Sequence, residues 1–151
     1  MPELLQMLGL AVLAIGAGMS IVVQQVLNAS LRASIGSAVW AAFISYFVGS
    51  LTLLLVLLAT REPWLSSAAI AKSSPWSWTG GVFGTIYIVA AILLLPHMGA
   101  ATSVALLVTG QMLGSLVFDH YGLFGLTQHP VDLPRLAGAM LLIVGVVLIR
   151  H

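Results

Sequence analysis

The chain has 151 residues, of which 60% are hydrophobic and only 6% are Asp, Glu, Lys or Arg. Soluble domains carry about 25% charged residues, so this sequence cannot cover a water-exposed surface and its solvent is lipid. It has no cysteine, which excludes disulfides, thiolate metal sites and a cysteine nucleophile, and a net charge of +1 leaves no basic patch for nucleic acid.

In hydrocarbon every backbone polar group must be paired within the protein, so only helices or a closed barrel can span. The apolar runs are continuous rather than alternating. An all-α polytopic membrane protein is therefore expected, as a single transmembrane domain over 1–151. The start Met1-Pro2-Glu3 lacks the cationic flank of a secretory signal, so the first apolar run is read as a retained helix.

A span needs about 20 apolar residues. The first helix is expected over 4–28, apolar to Val23 and polar from Gln24 and Gln25 onward. A link holding Arg32 and Gly36 precedes the second helix, over 37–60. Residues 61–75 form the first loop. Trp64, Trp76 and Trp78 in or beside it place it at the membrane surface, where an apolar ring bearing an N–H is best accommodated. The third helix, over 76–95, ends at Pro96, and a tight turn leads into the fourth, over 100–118. Residues 119–134 form a loop rich in Gly, Pro and His. The fifth helix, over 135–149, is short, about 23 Å at 1.5 Å per residue, and sits off-centre or thins the bilayer.

Five is odd, so the termini are expected on opposite sides. Arg61, Lys72 and Arg135 then fall on one side and Arg32 and Arg150 on the other. Orientation follows Lys/Arg bias, and three against two is almost none. Two readings stay open: a single orientation set by the first helix or the insertion machinery, or copies inserting both ways and pairing as an antiparallel homodimer.

Small residues mark helix contacts in lipid. The second helix carries Ala38, Ala42, Ser45, Gly49 and Thr52 at spacings of three and four, the third carries Gly80, Gly84, Tyr87 and Ala91, and the fifth carries Gly138 and Gly145. The fifth has no polar side chain between Leu136 and Ile149 and reads as a packing or dimer helix. On the first helix Gly16, Ser20, Gln24 and Asn28 recur every four residues along one face. The fourth carries Ser103, Gln111, Ser115 and Asp119, with Gly110 and Gly114 beside them. The two polar stripes either line a cavity or bond helices together, and Asn28 also reads as a helix-end cap. Asp119 and His120 close the fourth helix, as a loop anchor paired with Arg135 or a histidine, or as a coupling site. His97, His120 and His129 lack metal-ligand spacing. No phosphate loop, Gly-x-Ser-x-Gly elbow or His-Glu-x-x-His is present, so neither an enzyme nor a cofactor is expected.

The run Gln24-Gln25-Val26-Leu27-Asn28-Ala29-Ser30-Leu31, then Gly36-Ser37, Ala41-Ala42 and Ser45-Tyr46-Phe47-Val48-Gly49, resembles the first half of the YdcZ-type family. Trp78-Thr79-Gly80-Gly81-Val82-Phe83-Gly84, Thr109-Gly110-Gln111, Asp119-His120-Tyr121-Gly122-Leu123-Phe124-Gly125 and Arg135-Leu136-Ala137-Gly138 continue the likeness over nearly the whole chain. That family is a branch of the drug/metabolite transporter superfamily, related to small multidrug resistance proteins. The resemblance implies a five-helix unit of the inner (plasma) membrane that works in pairs, as an antiparallel homodimer, by alternating access. It departs from the small multidrug resistance pattern in lacking an acid within the first helix beyond Glu3, which disfavours proton-coupled export of cations. The expected function is thus transport of a polar or zwitterionic small molecule. Gln111, Gln24, Ser20, Ser45, Tyr46, Tyr87 and Asn28 are the expected substrate contacts, and Gly16, Gly18 and Gly110 let helices approach or flex. A non-transporting assembly subunit and a passive channel are the alternatives.

Overall fold

The computed structural model describes residues 2–150, with side chains from Leu4 onward. Among the described residues it is entirely helical: α1 (Pro2–Ile35), α2 (Ala38–Thr60), α3 (Ser67–Lys72), α4 (Gly80–Met98), α5 (Ala100–Tyr121) and α6 (Leu133–Arg150), with 3-10 turns at Pro75–Thr79 and Leu123–Gly125. Five segments of the described chain are long and apolar enough to cross a membrane: α1, α2, α4 with the turn that precedes it, α5 and α6.

The helix ends have local causes. α1 does not stop at Asn28 as expected, because nothing from Ala29 to Ile35 breaks a helix. It stops at Gly36, which takes a φ of 76° and donates its N–H to the Arg32 carbonyl at 2.8 Å. Ser37 then caps α2, accepting the Trp40 N–H at 3.2 Å. The first loop contains the unforeseen α3, capped by the Ser66 hydroxyl. α4 runs through Pro96 instead of ending there. α6 begins at Leu133, before the expected residue 135, since Asp132 accepts the Arg135 N–H at 2.9 Å and Pro134 lies in the first turn, where no N–H is needed. Its 18 residues give a length of about 27 Å.

At the end of α2 Arg61 takes a left-handed φ of 54°. A side chain costs about 1–2 kcal/mol in that conformation and glycine almost nothing. Arg61→Gly is therefore expected to stabilise the protein by about 1 kcal/mol, read as a raised unfolding midpoint; an unchanged or lowered midpoint would contradict the strain.

The chain divides into two compact units, residues up to Leu93 and residues from Leu94. The first has a core of Ala41 and Ala42 from α2 against Ile88 and Ile92 from α4, bordered by Leu31, Ala38 and Val89. The alanines leave room for the isoleucines, as small residues do at helix contacts in lipid. At Gly84 a Cβ would lie 2.7 Å from the Tyr46 hydroxyl, so glycine is what admits that ring. α1 contributes only its last third to burial, and every residue from Leu4 to Ile21 is exposed. An aromatic ladder, Trp40, Phe43 and Phe47, runs along an exposed face of α2 with successive ring centroids 5.7 and 6.3 Å apart. In the second unit α5 packs on α6, and Thr102, Ser103 and Ala139 are buried.

Candidate functional site

Polar side chains are buried in the first unit, where the last third of α1 meets α4. Gln25 is 2% exposed and Asn28 6%. With Arg32 they stand at i, i+3 and i+7, the spacing that keeps side chains on one helix face. Gln25 Nε2 donates to the Tyr87 hydroxyl at 2.7 Å. Gln25 Oε1 and Asn28 Nδ2 are buried and have no hydrogen-bond partner among the described residues. Buried polar atoms without partners cost about 1–3 kcal/mol each, and these two stand one turn apart on the same face of α1.

One turn further, Arg32 Nη1 donates to the Ile92 carbonyl at 3.2 Å. That carbonyl is available for a covalent reason. Its helical partner would be the N–H of residue 96, and residue 96 is proline. The guanidinium replaces the missing helical bond.

Of the expected contacts, the structure gathers Asn28 and Tyr87 into this cluster. Tyr46 reaches Gly84 on the same helix as Tyr87, and Ser45 is half-buried. Ser20, Gln24 and Gln111 are exposed on their helices. Among the packing glycines only Gly84 has a close neighbour; Gly16, Gly18, Gly49, Gly110, Gly138 and Gly145 have nothing within 4 Å of where a Cβ would stand. Sequence reasoning missed Gln25, which occupies the position expected of Gln24. The signal was present in Gln25, Asn28 and Arg32, a stripe at spacings of three and four that the regular four-residue stripe overshadowed.

The second unit has a different polar construction. Arg135 Nη1 lies 3.3 Å from Asp119 Oδ2, and the His129 N–H donates to the Asp119 carbonyl at 2.8 Å. His120 Nδ1 accepts the Val131 N–H at 3.1 Å, and Gln128 Nε2 donates to the His120 carbonyl at 2.9 Å. These bonds fold the loop back on the end of α5, where Gly122 turns the chain at a φ of 60°. Asp119 and His120 are both tied to the loop by these bonds. Both members of the ion pair are over a third exposed, so Asp119→Asn is expected to cost under about 1 kcal/mol and to leave solute flux unchanged. Flux lost without loss of fold would assign Asp119 to coupling instead. A groove of about 590 Å³ lies in this unit, lined by Thr102, Leu106, Thr109, Ile143 and Arg150 among others.

These features define a polytopic helical membrane protein that sequesters amides and a cation among its spans. The chain belongs to the family described as "Putative inner membrane exporter, YdcZ", which it matches over residues 9–148. It is 31% identical over 139 residues to the inner membrane protein YdcZ of Escherichia coli (strain K12), with 91% of each chain covered. No solved structure matches it. The family resemblance expected from the sequence is borne out, and the chain is a multi-pass protein of the inner membrane.

Proposed function

We propose that this protein is a small-molecule transporter that carries a polar or zwitterionic solute by alternating access, working as an antiparallel, dual-topology homodimer. The observation that carries the reading is the pair of buried atoms Gln25 Oε1 and Asn28 Nδ2, unbonded among the described residues, on the helix face where Gln25 meets the Tyr87 hydroxyl. A unit that only filled space would bury apolar groups there.

A second copy is argued from what the single chain leaves open. Gln111 lies in the middle of α5 and is exposed, as are Ser20 and Gln24 on α1. An amide facing acyl chains, which cannot hydrogen-bond, costs about 4–8 kcal/mol, so these groups need protein or a watered cavity. The glycines without neighbours supply surfaces on which another helix can pack closely. The near-even split of Arg and Lys permits copies of both orientations, and inverted pairs hold substrate near the midplane. In this reading Gln111, Gln24, Ser20, Ser45, Tyr46, Tyr87 and Asn28 face the substrate path, and the bilayer and the second copy are the partners.

Solute-stimulated flux into liposomes, compared between wild type and Gln111→Leu, tests the reading. Flux should fall at least about tenfold, the effect of one lost polar contact of about 1.4 kcal/mol. A mutant with full flux removes Gln111 from the path. A non-transporting assembly subunit instead predicts a weakened dimer with no flux in either protein, and a passive channel predicts flux that neither saturates nor shows competition. Single-cysteine labelling close to Arg150 should reach some copies from each side of the membrane; labelling from one side alone would sink dual topology.

A further inference from the structure

We infer that Arg32 and Asn28 form an anion site that takes a carboxylate group of the solute, and that the Ile92 carbonyl is the resting occupant of Arg32. This deepens the transport reading and rests on it for the identity of the occupant as cargo.

Three observations carry it. First, Arg32 is half-buried, and among the described residues its guanidinium makes one hydrogen bond, to a neutral carbonyl at 3.2 Å. A guanidinium has five N–H donors in a planar fork suited to a carboxylate. Among the described residues no acidic side chain pairs with Arg32. Second, Asn28 lies one turn back on the same face, 6% exposed, and its Nδ2 donor has no acceptor among the described residues. Two neighbouring donor groups without an anion describe the complement of a carboxylate. Third, Gln25 Oε1, one turn further along, is a buried acceptor without a donor among the described residues. It suits an N–H or ammonium group on the same solute. Cation, donor and acceptor in sequence along one helix face match a small amino-carboxylate better than a cationic drug.

The resting occupant gives binding a consequence. Ile92 accepts from Arg32 at the place where Pro96 offers no helical N–H. A carboxylate that draws Arg32 away leaves α4 without that bond at the weakest point of its backbone ladder, so anion binding loosens α4 there.

The test uses purified protein in detergent, with benzoate and its neutral isostere benzamide as probes at constant ionic strength. Benzoate is expected to raise the unfolding midpoint by about 3–5 °C at ten times its Kd, and benzamide to do far less. Arg32→Gln is examined in a Pro96→Ala background, where the alanine N–H satisfies Ile92 and the fold is kept. There benzoate should bind about 10–100-fold more weakly than in Pro96→Ala alone. Equal binding in the two proteins, equal action of benzamide, or no benzoate response at all overturns the proposal. A lipid phosphate presents similar chemistry, so the titration is repeated in nanodiscs of phosphatidylcholine with and without phosphatidylglycerol. Competition by phosphatidylglycerol that abolishes the benzoate response would assign the site to lipid and overturn the solute assignment. Benzoate binding without flux of any solute would sink the transport reading and leave the anion site standing; flux with unchanged binding in the Arg32→Gln protein would do the reverse.

Discussion

Arg32→Gln is expected to lower the unfolding free energy by about 1.5–3 kcal/mol, the range for a hydrogen bond from a charged donor, and Pro96→Ala is expected to erase most of that loss. The two residues are 64 positions apart and do not bond to each other; they are linked through one carbonyl. Proline at 96 deprives Ile92 of its helical donor, and Arg32 supplies another at 3.2 Å. In the Pro96→Ala protein the helix bonds itself, and the guanidinium becomes dispensable to the fold. A double-mutant cycle by denaturant titration of the reconstituted protein isolates the coupling. If Arg32→Gln costs the same with alanine at 96, the guanidinium is not replacing the proline's missing N–H.

Gln25→Leu is expected to abolish transport while leaving stability within about 1 kcal/mol of wild type. Leucine fills a similar volume. It loses the Tyr87 hydrogen bond, worth about 1 kcal/mol net, and removes a buried unpaired oxygen whose cost is of the same order. If the amide were only glue between α1 and α4, the folded Gln25→Leu protein would keep its flux. Tyr87→Phe completes the comparison, since it leaves both polar atoms of the Gln25 amide unbonded and should destabilise more than Gln25→Leu. A Gln25→Leu protein with normal flux would place the solute path elsewhere.

Composition made the solvent legible, and uninterrupted apolar runs made the five spans legible. The ends of helices were less so. Asn28 suggested a cap because it is polar and follows the apolar run, yet its amide is buried and the helix continues to Gly36. Polarity marks a helix end only when the side chain meets water or an open N–H, and that is a tertiary fact. Pro96 suggested a stop because it breaks the hydrogen-bond ladder; a cation sixty-four residues earlier mends the break, which no local window can reveal. At the candidate site the periodicity of Gly16, Ser20, Gln24 and Asn28 was real, but a four-residue spacing drifts around a helix of 3.6 residues per turn. The face that α1 turns toward its neighbours is set instead by Gln25, Asn28 and Arg32. The pairing of Asp119 with Arg135 was readable, because a carboxylate at a helix C-terminus opposes the dipole and calls for a nearby cation.

The contacts of α1 also set a clock. Its polar third waits for Tyr87 and Ile92, which lie 62 and 60 residues downstream of Gln25 and Arg32. At about 5–20 residues per second, a ribosome needs roughly 3–12 s to deliver them. During that interval the apolar stretch that begins at Leu4 can already lie in the bilayer, while Gln25, Asn28 and Arg32 have α2 at most for company. Gln25 and Arg32 cannot make their bonds to Tyr87 and Ile92 until α4 arrives. The hydrogen bonds between α1 and α4 are therefore among the last that the first unit can form.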